Sequence, residues 1–371
     1  MNTDIHTLNK WRRCVIVLFV SQLFGSLFCG CGKPSVTMGE IQVNRSPLGA
    51  RKEAGLQEMV QDVLNHRELN QTTHGAWQVM HGVLAYGSGF PLKVSDGEQS
   101  AVEFLLSGGE LQGWRVVVGD QLPNGKVGVR AIVEPGAYIG QGHADQWLAI
   151  LAQADVQLTD TIMVEDKPFQ VSDFLSQVQW DVPDNYEREW SWTLIALTQY
   201  LPTNSTWTAS DRTQWSIERL LENEISQELE SSTCGGTHRL IGISMALNRR
   251  YAEGAAITGA WSRAENLVRD AIATAKSMQN PDGSFSTNYF ARGGVSVDNA
   301  KVLSTTGHIL EFLALSLPDE ELQQPWVQMA VGRLCQLLED SRELPLECGA
   351  LYHAVHGLVI YQQRVAPESS S

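Results

Sequence analysis

The chain has 371 residues, of which 43% are hydrophobic and 19% are charged. These values are typical of a globular protein and exclude a disordered or fibrous one. The net charge is −15, and the sequence has no basic stripe, which argues against nucleic acid as a partner.

Residues 1–30 have the features of a bacterial lipoprotein signal peptide. Basic residues precede the apolar run Cys14–Phe28, which is short for a membrane span. The run leads into FCGC, which resembles a lipobox with Cys31 as the lipidated residue, although Phe28 stands where Leu is usual. Plain secretion and an uncleaved anchor are the alternatives. We expect an exported cell-envelope protein, anchored in the membrane through its N-terminal lipid and facing the periplasm.

The rest of the chain divides into a tether, one domain and a tail. Residues 31–49 are rich in Gly, Pro, Ser and Asn, which is typical of a flexible tether. Residues 366–371 have the composition of a disordered tail. We expect residues 50–365 to form the folded domain.

Two kinds of helical pattern alternate within this domain. Amphipathic patterns, with one apolar face, occur at Leu56–Leu69, Arg212–Leu229, Trp261–Met278 and Gln323–Leu338. The other kind is apolar on almost every side and recurs six times. In five of these six copies a histidine stands at the same place: His74, His143, His238, His308 and His353. A base period of about 46 residues with two insertions explains the spacing, and a repeat of that length is one helical hairpin.

Six such hairpins predict an all-α fold, an (α/α)6 toroid with buried inner helices, and an open solenoid is the alternative. One β-hairpin is predicted as an insertion at about 113–133, where β-branched residues alternate around Pro123-Asn124-Gly125. The loop Ser286–Leu303 is long enough to carry a functional role.

The segment Gln279–Phe285, QNPDGSF, resembles the Q-x-x-D-G-S/G-W/F turn of squalene-cyclase and prenyltransferase-like toroids. Gly283 is expected to supply a positive φ angle, and Phe285 is expected to enter the core. The resemblance implies the toroid fold. The D-x-D-D motif of the terpene-cyclising members is absent, which argues against that activity.

The aligned histidines and nearby tryptophans are candidates for the lining of a central cavity. We expect this lining to include His74, His143, His238, Trp77, Trp147 and Trp192. The alternative for each histidine, which we favour, is that it fixes the turn of its own repeat, because a residue duplicated with every unit is usually structural.

A second hypothesis is a zinc site formed by Cys234, His308, Cys348 and His353, since zinc prefers thiolate and imidazole ligands. Protein prenyltransferases and lanthionine cyclases, two toroid families, hold a catalytic zinc ion, but their C-H-G and D-x-C motifs are absent here. A disulfide between Cys234 and Cys348, or buried free thiols, are the alternatives.

A third hypothesis is acid–base chemistry on a carbohydrate by Asp145 and Glu189, with tryptophans stacking on sugar rings. The alternative is that these acids cap helices and the tryptophans belong to the core.

The sequence favours a binding or scaffolding lipoprotein that engages an envelope ligand or protein through its cavity or acidic surface. An enzyme acting on a carbohydrate is the alternative, with zinc-dependent chemistry less favoured. Whether the chain is an enzyme at all is left open by the sequence.

Overall fold

The computed structural model describes residues 53–134, 142–185 and 190–365, which all belong to one structural unit. The predicted signal peptide, the whole tether with Cys31, the C-terminal tail and Glu189 lie outside the described residues. None of the helices in the described part of the chain has both the length and the hydrophobicity that a bilayer-spanning segment requires.

More than half of the described residues are helical. The helices are α1 (Glu53–His66), α2 (Ala76–Tyr86), α3 (Ala101–Leu106), α4 (Ala144–Gln153), α5 (Val171–Asp181), α6 (Ser191–Tyr200), α7 (Ile217–Ile225), α8 (Thr237–Ala252), α9 (Ala260–Ser277), α10 (Asn299–Ser316), α11 (Asp319–Leu322), α12 (Pro325–Asp340) and α13 (Cys348–Val365). Short 3-10 turns lie at Gly87–Gly89, Val182–Asn185 and Thr233–Gly236.

The strands form antiparallel pairs. They are β1 (Pro91–Val94), β2 (Gly97–Ser100), β3 (Trp114–Gln121), β4 (Val127–Val133), β5 (Thr161–Val164), β6 (Lys167–Gln170), β7 (Thr206–Thr208) and β8 (Gln214–Ser216). Each strand pairs with its neighbour in sequence, so the described residues contain four two-stranded sheets. The longest pair, β3–β4, lies within the range 113–133 and has an irregular register between Val118 and Gln121.

Six apolar helices, α2, α4, α6, α8, α10 and α13, contact one another in a closed cycle. Each packs against the next, and α13 returns to pack against α2. We call these six the central helices. They are buried because they are apolar on almost all sides, and their residues form a large part of the hydrophobic core. Amphipathic helices such as α9 and α12 bury one face, as α9 does with Trp261, Ala264 and Val268.

The prediction of an all-α (α/α)6 toroid of six helical hairpins with one β-hairpin insertion is wrong. In the described residues, three further β-hairpins stand between a central helix and the helix that follows it: β1–β2 after α2, β5–β6 after α4 and β7–β8 after α6. The fold is a mixed, helix-rich one. These strands have only three or four residues, too few to show an alternating pattern. The β5–β6 turn also lacks the glycine that usually marks such a turn. Glu165 and Asp166 occupy it instead, with positive φ angles of 50° and 60°.

Local sequence signals explain where many of the elements begin. Asp298 precedes α10, and its carboxylate accepts hydrogen bonds from the backbone N–H groups of Ala300 and Lys301. Gly283 has a φ of 90°, and Phe285 is fully buried, which agrees with the turn expected at QNPDGSF. The side chain of Asp282 accepts hydrogen bonds from the backbone N–H and hydroxyl of Ser284.

Candidate functional site

A cavity of about 720 Å³ opens between the N-terminal ends of the six central helices. Each of these helices contributes a residue from its first turns: Trp77, Gln146, Trp192, His238, Ser304 and Ala350. The volume is within the range of small-molecule sites. The partial positive charge at each helix N-terminus favours anionic groups inside the cavity.

Cys234, His238 and His308 meet in the wall of this cavity. The Cys234 sulfur and one nitrogen of each imidazole all lie within 4.8 Å of one another. Nδ1 of His308 is 2.7 Å from the carbonyl oxygen of Ser304. Because a carbonyl only accepts, this nitrogen carries the proton and donates it, which leaves Nε2 as the nitrogen available to Cys234.

The backbone places Cys234 by an unusual turn just before α8. Cys234, Gly235 and Gly236 adopt successive left-handed conformations, with φ angles of 50°, 61° and 83°. Glycine takes these angles freely, but for Cys234 the left-handed region costs of the order of 1–2 kcal/mol. Strain of this kind is found at functional sites, where the surrounding structure holds it. The thiol is thereby turned toward the imidazoles and the N-terminus of α8.

Tyr289, from the long loop before α10, covers this turn. A Cβ on Gly235 would lie 2.3 Å from the Tyr289 ring, so only glycine allows the ring to pack here. Tyr289 itself has a positive φ of 53°. Its hydroxyl interacts with Cys234 and Ser304, and burial together with the charge of Cys234 raises the pKa of Tyr289. The hydroxyl therefore stays protonated and donates to the sulfur.

The electrostatics of the site favour a thiolate. Burial alone would raise the pKa of Cys234, but the nearby His308 and His238 lower it to about 5 through their charge and their hydrogen bonds. Cys348 has the opposite behaviour, because burial raises its pKa to about 11. Of these two thiols, only Cys234 is ionised at neutral pH, which makes it the nucleophilic one.

A buried carboxylate lies behind the histidines. Glu311 accepts hydrogen bonds from Nδ1 of His353 at 2.6 Å and from Nδ1 of His356 at 2.7 Å. Burial would raise the pKa of Glu311, but the charge and hydrogen bond of His353, together with His356, hold it well below its usual range. Glu311 is therefore ionised. The His353 ring lies 4.2 Å from that of His308, centroid to centroid, so the carboxylate orients the imidazole that packs against His308.

His81, on α2, completes the group of imidazoles. Its ring centroid is 5.2 Å from that of His353, and its Nδ1 is 2.6 Å from the carbonyl oxygen of Trp77. Burial lowers the pKa of His81 to about 4, with smaller contributions from His238 and His308. His81 is thus a neutral imidazole at physiological pH.

The structure brings together three of the four residues of the predicted zinc site. Cys234 and His308 lie in one cluster with His238, and the ring of His353 packs against the rings of both histidines. Cys348 is absent from the cluster, because its sulfur accepts instead from the side-chain amide of Gln78 at 3.7 Å. Cys234 and Cys348 are free thiols and are not bridged.

The candidate cavity-lining residues divide into two groups. His143, His238, Trp77 and Trp192 line the cavity. His74 and Trp147 do not belong to the lining. His74 accepts a hydrogen bond from the backbone N–H of Asn70, and Trp147 is buried against Trp114.

Asp145 does not line the large cavity. Its carboxylate is buried and accepts hydrogen bonds from Thr193 at 2.5 Å and from Asn185 at 2.9 Å. Burial raises its pKa. Its proposed partner Glu189 lies outside the described residues, so the pairing of Asp145 with Glu189 stays a prediction.

Sequence reasoning missed two members of the site, His81 and Tyr289. His81 stands within an apolar helix, where a histidine gives no periodic signal. Tyr289 lies in the long loop that the sequence marks only by its length.

The chain was compared with known proteins in three ways. No protein-family model matches it, and neither a curated protein nor a solved structure matches it.

Proposed function

We propose that the chain binds a small molecule in the central cavity and acts on it through the thiolate of Cys234. The observation that carries this proposal is the placement of the Cys234 sulfur within 4.8 Å of two imidazole nitrogens, in the wall of a cavity of about 720 Å³. A thiolate beside an imidazole is the arrangement by which cysteine becomes a nucleophile near neutral pH.

The chemistry that suits this arrangement is acyl transfer. The sulfur of Cys234 forms a bond to a carbonyl carbon, the bond from that carbon to the leaving group breaks, and an imidazolium of His308 or His238 gives its proton to the leaving group. Water then attacks the thioester, one of the same imidazoles takes its proton, and the thiolate is released. Tyr289 and the first turn of α8 offer hydrogen-bond donors next to the sulfur.

The cavity wall favours a ligand with both apolar and polar parts. Trp77, Trp190 and Trp192 offer aromatic surface, while Gln146 and Gln227 offer amides. Glu224 and Arg239 also line the cavity, but they form a buried ion pair with each other at 2.7 Å. Acid–base chemistry on a carbohydrate has less support, because Asp145 is bonded to Thr193 and Asn185 instead of facing the cavity.

The test uses p-nitrophenyl acetate as a model acyl donor with the purified chain. We expect a burst of p-nitrophenol and the added mass of one acetyl group on the peptide that contains Cys234. Cys234→Ser should abolish both, while Cys348→Ser, which removes the other partly exposed thiol of the described residues, should leave both unchanged. An acetyl group on Cys348 instead, or a burst that survives in Cys234→Ser, would contradict the proposal.

The location in the cell is part of the proposal and has its own test. We propose that the chain is exported and held at the membrane through Cys31. The basic residues, the apolar run and the cysteine that precede the folded domain support this proposal. Fractionation should place the chain with membranes, and Cys31→Ala should release it or block its maturation. Recovery of the unmodified chain in the cytoplasm would argue against export.

A further inference from the structure

We propose that the same centre binds a zinc ion, with Cys234, His238 and His308 as ligands and the imidazole of His353 as the fourth. The proposal rests on the site of the proposed function but does not require its catalysis. Tetrahedral zinc with bonds of about 2.0–2.3 Å places its ligand atoms roughly 3.5 Å apart. The three donor atoms already lie within 4.8 Å of one another, so side-chain movements of about 1 Å close the site.

The hydrogen bonds of the histidine rings are those that metal-binding histidines usually make. A metal-binding histidine commonly donates its other ring N–H to a carbonyl or a carboxylate, which fixes the tautomer and the orientation of the ring. Nδ1 of His308 is bonded to the carbonyl oxygen of Ser304, and Nδ1 of His353 is bonded to Glu311. In both rings Nε2 is therefore the nitrogen left for a metal ion.

The rings are close enough to share one ion. The centroid of His353 lies 4.2 Å from that of His308 and 5.1 Å from that of His238. His238 and His308 are 5.4 Å apart by the same measure. One thiolate and three imidazoles form a set of soft and borderline donors, which favours zinc over magnesium or calcium.

A bound zinc ion changes what Cys234 can do. A metal-bound thiolate is a weaker nucleophile than a free one, since its lone pair is shared with the ion. We therefore infer that zinc and the acyl donor compete for the centre, and that metal-loaded protein is resistant to alkylation at Cys234.

The experiment is a Co²⁺ titration of the full chain after treatment with a chelator, followed by displacement with Zn²⁺. We expect one equivalent of Co²⁺ to give a thiolate-to-cobalt absorption band and tetrahedral d–d bands, and we expect Zn²⁺ to displace it with a Kd below about 1 µM. Cys234→Ser should remove the thiolate band. His308→Gln should weaken zinc binding by at least about 100-fold, and Glu311→Gln, which acts through His353, by about 10- to 100-fold.

Cys348→Ser and His74→Gln are the matched controls, and both should bind the metal as the parent chain does. Thermal melts of every variant separate lost binding from lost folding. Absence of a thiolate band in the parent chain, or its retention in Cys234→Ser, overturns the zinc site. Acetylation of Cys234 in the metal-free protein is measured independently. The zinc proposal can therefore fail while the acyl-transfer proposal stands, and the reverse also holds.

Discussion

The two halves of the helix cycle use the same sequence pattern in different ways. In the half formed by α2, α4 and α6, each central helix is followed by a β-hairpin, and the aligned histidines fix local turns. Nδ1 of His74 accepts from the backbone N–H of Asn70, and Nδ1 of His143 accepts from that of Asp145. In the half formed by α8, α10 and α13, the aligned histidines lie inside the helices, and their rings pack together near Cys234.

The difference comes from where each helix begins. His74 precedes α2 and accepts from Asn70 in the turn before it, while His143 caps α4, so each ring bonds to the backbone near a helix start. The helices α8, α10 and α13 begin before their histidines, which places His238, His308 and His353 inside helices that face the centre. A shift of a few residues in the helix start thus converts a turn-fixing histidine into a site residue.

The largest effect is expected for the buried ion pair between Glu224 and Arg239, which borders the second half. Both side chains are nearly inaccessible, at 0% and 5% exposure, and Glu224 also accepts from the backbone of Trp190. Glu224→Gln leaves a buried guanidinium without its counter-charge, so we expect a loss of about 3–5 kcal/mol in the free energy of unfolding by urea.

In the first half, Lys126 is mostly exposed in its pair with Asp173, and Lys126→Gln should cost less than about 1 kcal/mol. Equal losses of unfolding free energy in Glu224→Gln and Lys126→Gln would contradict the prediction that the buried ion pair contributes more than the exposed one.

The second prediction concerns the reactivity of Cys234. The groups that face its sulfur are His238, His308 and Tyr289. Since its pKa is lowered to about 5, iodoacetamide labelling of metal-free protein should be nearly constant above pH 6 and should fall as the pH drops through 5. His308→Gln should return the pKa toward the ordinary value and slow labelling at pH 6 by about 100-fold.

His74→Gln is the control from the first half, and it should leave the labelling profile unchanged. If both substitutions slow labelling equally, the aligned histidines do not have the two separate roles described above.

The third prediction concerns the left-handed turn at Cys234. Gly235→Ala places a Cβ 2.3 Å from Tyr289 and at a φ of 61°, so we expect a loss of about 2–3 kcal/mol in unfolding free energy and slower labelling of Cys234. Gly254→Ala is a matched control, because its φ is also positive at 63° but no atom lies within 4 Å of the new Cβ. It should cost about 1 kcal/mol and leave labelling unchanged. A smaller loss for Gly235→Ala than for Gly254→Ala would show that Tyr289 does not pack on the turn.

The smallest effect is expected for the pH dependence that His81 contributes. His81 faces His238, His308, His353 and Glu311. Because burial lowers its folded-state pKa to about 4, the unfolded chain binds the extra proton between pH 6.5 and 4, and stability falls as the pH decreases through this window. Between pH 7 and pH 5 this amounts to roughly 1–2 kcal/mol. Urea unfolding of His81→Gln should show a correspondingly weaker pH dependence, and an unchanged slope would contradict the prediction.

The sequence predicted the positions of the helices better than the class of the fold. The six apolar helices and the amphipathic ones are long and strongly periodic, and the strands β3 and β4 flank an Asn-Gly turn within the predicted range. The other hairpins were missed because their strands have three or four residues. The turn between β5 and β6 also needs positive φ angles, which Glu165 and Asp166 adopt although such residues seldom do.

The candidate site could be predicted only in part. Cys234, His308 and His353 were singled out because cysteine and histidine are rare in this chain and stand at related positions. Cys348 was grouped with them wrongly, since its place at the start of α13 turns its sulfur toward Gln78. The convergence of side chains depends on where each helix starts and how it packs against its neighbours, and neither follows from spacing along the chain.

The contact of α13 with α2 ties the completeness of the centre to the closure of the helix cycle. The last central helix supplies His353 and packs against the first one. The ring of His353 reaches that of His308 only when α13 lies between α10 and α2, so a chain whose cycle is open keeps Cys234 and His308 but lacks the imidazole that Glu311 orients.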